Sequence, residues 1–145
     1  MTSHPSLTGL VERPLNSERL MTRAVELCCP VPDRRSQCLT FIVCDDERRI
    51  RQPIAITDLP PGPDLAQVEH ALFTLDCVLL DIGPTMLVIR GRPHDRVEDA
   101  DRTLHQYLLD RYRTDPGEPA RLLGFYVAGP TAVRRMPDPP PLVPA

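Results

Sequence analysis

Short apolar runs of strand length alternate in this chain with segments of helical period, and this alternation constrains the fold more than any other feature. The clearest runs cover residues 38–44 (CLTFIVC), 86–89 (MLVI) and 122–128 (LLGFYVA). All three have the length and composition of strands, and the continuous apolar run of residues 86–89 is typical of a strand covered on both faces. Their alternation with helices predicts a layered domain in which helices pack on a sheet.

Three amphipathic segments surround these runs. The first follows Ser17, which can cap a helix, and ends before Pro30. The second follows Asp64, which has Gln67 three residues later in the pattern of a capping box. The third is predicted over residues 97–112. Their apolar stripes are Leu20, Ala24 and Leu27; Leu65, Val68, Leu72 and Leu75; and Val97, Ala100, Leu104 and Leu108.

A β-hairpin is predicted for residues 38–57, because a charged turn at residues 45–49 precedes a run in which isoleucines keep alternate positions. Pro53 lies in its second strand and has no N–H to donate, which favours an edge strand or a bulge. A turn after residue 128 predicts a last strand over residues 132–136. The predicted order is α-β-β-α-β-α-β-β, an α/β (α+β) domain with helices packed on a mixed sheet.

The length of 145 residues predicts one domain with a sizeable core. We expect residues 1–15 to form a flexible N-terminal arm and residues 16–136 to form the α/β domain. Residues 137–145 (PDPPPLVPA) are expected to be a Pro-rich disordered tail. Pro141 and Pro144 in that tail have the PxxP spacing of partner-recognition segments, a spacing that short proline tails also show by chance.

Composition opposes several classes of function. A net charge of -3 argues against general nucleic-acid binding, because proteins that track the phosphate backbone present a basic face. No apolar run is long enough for a membrane helix and the start lacks the pattern of a signal peptide, so we predict a cytoplasmic protein without membrane contact.

Motifs for cofactors and nucleophilic catalysis are also missing from the sequence. The five cysteines have no CxxC spacing, so we interpret them as buried thiols rather than as a disulfide framework or a zinc site. Neither the glycine-rich nucleotide loops nor a GxSxG elbow occurs. We therefore predict no cofactor.

The segment of residues 90–101 (RGRPHDRVEDAD) is the best candidate for a functional site. It joins the buried strand of residues 86–89 to the third amphipathic helix. In α/β proteins, binding and catalytic residues commonly lie where a strand ends and a helix begins.

The order of elements, with a buried strand that runs into a polar loop containing Pro93, resembles the JAB/MPN metalloprotease-like fold and its RadC-like branch. The resemblance covers roughly residues 39–136. In that family a His-x-His-Pro motif follows the strand, and the two histidines and a later aspartate hold zinc. Arg90 and Arg92 stand in the places of the histidines, Pro93 matches, and Asp99 or Asp101 falls near the acidic ligand.

The departures from the family pattern concern the zinc site itself. Arginine has no free lone pair to give a metal. The stretch between Pro93 and the acids is shorter than in the family, and residues 38–44 contain no glutamate to serve as a general base. The resemblance thus implies a degenerate domain that has lost its zinc and acts without catalysis, as an interaction or regulatory module with a protein partner.

Two other readings of the same segment stay open. A metal site could be built from His94, Asp99, Asp101 and His105, although acids in the first turn of a helix are expected from its dipole alone. Alternatively, an anion or partner site could be formed by Arg90, Arg92, His94 and Arg96. Its competitor is salt bridging of these arginines with Asp95, Glu98 and Asp99. Either site would suit a hydrolase, the alternative to an interaction module.

Overall fold

The computed structural model describes residues 7–115, 117–118 and 120–137. Five helices and five strands lie in this part of the chain. In chain order they are α1 (Leu7–Val11), α2 (Glu18–Cys28), α3 (Val31–Arg35), β1 (Leu39–Cys44), β2 (Ile50–Ile56), α4 (Leu65–Ile82), β3 (Thr85–Gly91), α5 (Asp99–Arg111), β4 (Leu122–Ala128) and β5 (Val133–Arg135). The predicted order is confirmed, with the short helices α1 and α3 added.

The five strands form one mixed sheet in the order β2-β1-β3-β4-β5. The β1–β2 hairpin is antiparallel, β1 pairs antiparallel with β3, β3 runs parallel to β4, and β4 pairs antiparallel with β5. The predicted α+β class with a mixed sheet is therefore confirmed. Pro53 lies in β2 at the edge of the sheet, as its missing N–H predicted.

Helices cover both faces of the sheet. Every residue of β1 and β3 is buried, which for β3 confirms the prediction of a strand covered on both faces. Because side chains alternate along a strand, successive residues of β3 join opposite cores. Leu87 and Ile89 cluster with the α2 residues Met21, Ala24 and Val25, whereas Met86 and Val88 cluster with Leu72 and Leu75 of α4 and Leu104 and Leu108 of α5.

The predicted helix starts are close to those observed. The Ser17 hydroxyl accepts a hydrogen bond from the backbone N–H of Leu20. Asp64 and Gln67 form the predicted capping box of α4. The third helix begins at Asp99, with Glu98 as its N-cap, and thus starts two residues later than expected.

The N-terminal prediction differs from the structure over residues 7–15. This stretch was expected to belong to a flexible arm, but α1 lies here and Leu10 and Leu15 are buried in the core. The N–H of Leu15 donates to the carbonyl of Arg48 at 2.8 Å, which ties the stretch to the hairpin turn. Apolar burial on the α2 side explains why these residues are ordered.

The remaining terminal predictions lie outside the described residues. This holds for residues 1–6 of the arm and for residues 138–145 of the tail, which include the PxxP spacing of Pro141 and Pro144. Within the described ranges, no helix has the length and apolar character needed to cross a membrane.

Candidate functional site

Residues 90–101 lie where β3 and β4 end side by side. The two strands are parallel, so their carboxyl ends meet at one edge of the sheet, and Gly91 pairs there with Ala128. The N–H of Arg92 continues the ladder to the carbonyl of Ala128 at 2.9 Å. The N-terminus of α5 follows after a seven-residue loop, residues 92–98. This is the edge at which open α/β sheets commonly bind ligands.

A buried ion pair occupies the centre of this edge. Arg92 donates from Nε at 3.0 Å and from Nη2 at 2.5 Å to Oδ1 of Asp101, and the two side chains are each 1% exposed. Oδ2 of Asp101 accepts the backbone N–H of Glu98 at 2.8 Å, in the first turn of α5. Both oxygens of the Asp101 carboxylate therefore accept hydrogen bonds from the chain, and these bonds join the end of β3 to the start of α5.

Arg90 is buried without a carboxylate partner. Its Nη1 donates to the carbonyl of Gln37 at 2.9 Å and its Nη2 to the carbonyl of Pro60 at 2.7 Å, whereas its Nε has no hydrogen-bond partner among the described residues. Burial, followed by the nearby charge of Arg92, lowers the pKa of Arg90 to about 10. The guanidinium therefore keeps its charge at neutral pH.

Gln37 holds both arginines from the segment before β1. Its carbonyl accepts from Arg90, and its Oε1 accepts from Nη1 of Arg92 at 3.3 Å. Its φ of 56° is in the left-handed region, which a non-glycine residue adopts only where its surroundings hold it. Arg34 fixes the same segment, because it donates to the carbonyls of Cys29 at 2.7 Å and Gly129 at 3.1 Å. Sequence reasoning did not find Gln37 or Arg34.

His94 and Glu98 form the solvent-facing part of this network. Nε2 of His94 lies 2.7 Å from Oε1 of Glu98, and Oε2 of Glu98 lies 3.5 Å from Nη1 of Arg92. The hydrogen bond with His94, and then the charge of Arg92, lower the pKa of the Glu98 carboxyl. Glu98 is thus held ionised between a buried arginine and a half-buried histidine.

Asp95 joins the loop before α5 to the loop after β4. Its carboxylate accepts the N–H and hydroxyl of Thr131 and the N–H of Ala132. These hydrogen bonds, led by that of the Thr131 hydroxyl, lower the pKa of Asp95. Because the folded pKa is depressed, this contribution to stability is present at neutral pH and is lost as the pH falls through the folded pKa.

A basic cleft opens beside this edge, between α5 and the last strand. We use the name α5–β5 cleft for the cavity of about 480 Å³ lined by Val97, Arg102, His105, Gln106, Arg134, Arg135, Met136 and Pro137. Three of these residues are arginines and none is acidic, but the guanidinium of Arg135 is engaged by Glu18 at 2.5 Å and by the carbonyl of Leu123 at 2.9 Å. Arg134 is exposed and makes no hydrogen bond or ion pair with any described residue. Arg102 pairs with Asp99 at 2.9 Å, but the two side chains are 59% and 103% exposed, so this pair holds Arg102 only weakly.

A larger groove lies outside α2 and has a different charge pattern. Its volume is about 920 Å³, and its lining mixes arginines such as Arg13 and Arg23 with the acids Glu18 and Glu26. Mixed signs of this kind neutralise one another at short range. The α5–β5 cleft is therefore the more selective place for an anionic group.

The structure distributes the residues of the predicted anion site between interior and surface. Arg90 and Arg92 are fully buried and engaged by the chain, His94 is half-buried, and only Arg96 is exposed. The competing prediction of salt bridging is right for Glu98, which lies near Arg92, but the principal partner of Arg92 is Asp101. Asp95 and Asp99 pair elsewhere. The burial of Arg90 has a signal in the sequence. Arg90 lies two residues after Val88 and four after Met86, so it points to the same face of the strand as these core residues.

The residues of the predicted metal site are also engaged separately. Asp101 pairs with Arg92, Asp99 with Arg102 and His94 with Glu98, while the His105 ring stacks on Phe125 with 4.9 Å between centroids. Across the described part of the chain, no group of three or more histidine, cysteine, aspartate or glutamate residues is arranged to hold a metal ion.

Comparisons of the chain with protein-family models and with curated proteins find no match. The RadC-like resemblance thus stays a prediction from the order of elements and from residues 90–101.

Proposed function

We propose that this domain is a non-catalytic interaction module, a RadC-like JAB domain without its zinc site, that binds an acidic segment of a partner protein in the α5–β5 cleft. The observation that carries the proposal is the lining of that cleft, which contains Arg102 and Arg134 and no acid, whereas its third arginine, Arg135, pairs with Glu18. Arginine binds carboxylates with a planar fork of donors, so such a lining favours carboxylate groups.

The buried ion pair supports the absence of catalysis. Asp101 is a residue that the resemblance would give to zinc, and its two oxygens accept from Arg92 and from the N–H of Glu98. A metal would have to displace a buried guanidinium, which would then lack a counter-charge. The ion pair also joins strand to helix, as a bound ion would.

The local charge supports an anionic ligand. The chain carries a net charge of -3, yet Arg102 and Arg134 project at one cleft in which Val97, Met136 and Pro137 supply apolar surface. A ligand with carboxylates and some apolar body fits this lining.

A protein segment fits better than a nucleic acid. Nucleic-acid binders normally extend basic residues along a surface so that successive phosphates are neutralised. Here the basic residues converge on a cleft of about 480 Å³, and the chain as a whole is acidic. Short acidic peptides require only such a local cluster.

Charge reversal in the cleft tests the proposal. We expect a fluorescein-labelled peptide of glutamates and leucine to bind the full chain, measured by fluorescence anisotropy at low salt. Arg134→Glu and Arg102→Glu should each raise the Kd by about tenfold, because an attractive charge becomes a repulsive one. Arg23→Glu is the matched control, since it makes the same change of net charge in the groove outside α2.

Two results would overturn this function. One is equal weakening by Arg134→Glu and Arg23→Glu, which would mean that the peptide responds to net charge alone. The other is tighter binding of a single-stranded oligonucleotide of matched charge than of the peptide, which would favour a nucleic-acid partner. Inorganic phosphate is added as a competitor to test for a pocket that binds any small anion. Such a pocket would release the peptide when phosphate is present at the same concentration of negative charge as the peptide.

The alternative function is a hydrolase with a noncanonical metal centre near His94 and Asp101. Here the expected result is that the chain, incubated with zinc and then desalted, retains less than one zinc per molecule. Metal analysis of Asp101→Asn beside the unchanged chain checks the assignment. Stoichiometric zinc that is lost in Asp101→Asn would establish the metal centre and exclude the interaction module proposed here.

A further inference from the structure

Two buried cysteine thiols meet on the α2 side of the sheet. Cys29 follows the last residue of α2 and Cys38 precedes the first residue of β1, and their Sγ atoms lie 3.1 Å apart. Both side chains are fully buried, and neither is in a disulfide. The separation is about 1 Å longer than a disulfide bond, so a small rotation of the side chains would bring the sulfurs to bonding distance.

The backbone approaches the pair closely on both sides. Gly91 faces Cys38, and a Cβ atom at position 91 would lie 2.6 Å from the Cys38 Sγ. Arg34 donates to the carbonyl of Cys29 at 2.7 Å, which fixes the backbone on the other side of the pair. The chain thus brings two sulfurs together where a side chain at position 91 would separate them.

The two thiols are electrostatically unequal. The hydrogen bond between the two sulfurs lowers the pKa of Cys38. The same bond and burial raise the pKa of Cys29. In contrast, burial raises the pKa of Cys28 to about 11 and that of Cys44 to about 12. This difference in pKa favours Cys38 as the attacking thiol and Cys29 as the resolving thiol.

We propose that Cys29 and Cys38 are a peroxide-responsive pair that forms an intramolecular disulfide. The thiolate of Cys38 attacks one oxygen of hydrogen peroxide, the O–O bond breaks, and the products are a sulfenic acid at Cys38 and hydroxide. The sulfur of Cys29 then attacks the Cys38 sulfur, its proton leaves with the departing hydroxyl, and water is released as the S–S bond forms. The two thiols are oxidised by two electrons and the peroxide is reduced.

The disulfide would act on the segment that holds the buried arginines. It closes residues 30–37 into a loop, and this loop contains α3 and Gln37, whose carbonyl and side chain bind Arg90 and Arg92. Oxidation would thus fasten Gln37 against the strand end. This inference does not depend on the acidic-segment function, because it concerns the opposite face of the sheet.

The test uses the full chain with Cys28, Cys44 and Cys77 replaced by serine, which leaves only the pair. After treatment with hydrogen peroxide and alkylation, we expect the intact mass to fall by two hydrogens and both thiols to be lost. Tryptic digestion without reductant should give a crosslink of residues 24–34 to residues 36–48, and dithiothreitol should restore both thiols.

Two controls make the outcome decisive. Cys38→Ser in the same background should abolish the crosslink, and circular dichroism establishes that the variant is folded. In the unchanged chain, the thiol count should fall from five to three. The proposal is overturned if peroxide yields only higher oxidation products at Cys38, only intermolecular dimers, or no change in a folded chain.

Discussion

Arg92→Ala is expected to lower the free energy of unfolding by about 3–5 kcal/mol, the largest effect we expect from one substitution in the site. The reason is the carboxylate that remains. Asp101 is 1% exposed, and without Arg92 its buried charge would keep only the hydrogen bond from the N–H of Glu98 among the described residues. Urea denaturation followed by circular dichroism measures the loss.

The ion pair also predicts a specific rescue. Replacing both partners, in Arg92→Met/Asp101→Leu, removes the two buried charges together and should recover most of the lost stability. The matched control is Arg102→Ala, which breaks an exposed pair and should change the free energy by less than about 1 kcal/mol. If Arg92→Ala lowered the free energy of unfolding no more than Arg102→Ala does, the Arg92–Asp101 pair would not be buried in solution as described.

Gly91→Ala is expected to lower the free energy of unfolding by about 1–3 kcal/mol through overpacking. The added Cβ would lie 2.6 Å from the Cys38 Sγ and 2.8 Å from the backbone Cα of Arg34. The sulfur can rotate away, but the backbone of α3 can give way only by shifting the helix. Thermal and urea unfolding of the reduced protein measure the effect.

The closest glycine control is Gly62→Ala, because a Cβ at position 62 meets nothing within 4 Å. This variant should differ from the unchanged chain by less than about 0.5 kcal/mol. Adding Cys38→Ala to Gly91→Ala should restore part of the stability that Gly91→Ala loses, because Cys38→Ala removes the Sγ atom that obstructs the new Cβ. Full additivity of the two substitutions would contradict the contact.

The fold was predictable from the sequence because its signals are local. Residues 86–89 have the continuous apolar character of a strand between two layers, and β3 is buried along its whole length. The capping pattern of Asp64 and Gln67 likewise identified the start of α4. The short helix α1 was missed because five residues are too few to show a helical period.

The site was predictable in position but not in its contacts. The sequence located it at residues 90–101, yet the partner of Arg90 is the backbone of Gln37, which is 53 residues away. Every residue type has a backbone carbonyl that can accept a hydrogen bond, so periodicity and motif spacing cannot reveal which carbonyl binds Arg90. The α5–β5 cleft joins α5 to Arg134 of the last strand, and this contact exists only once the sheet has formed.

The sheet offers little to a partner that would bind by adding a strand. At one edge, Pro53 interrupts β2 and offers no N–H to a further strand. At the other edge, β5 is only three residues long. Recognition through main-chain hydrogen bonds is therefore disfavoured at both ends of the sheet. Selectivity for a partner would have to come from side chains, and substitutions at such positions can change the partner while the sheet itself stays the same.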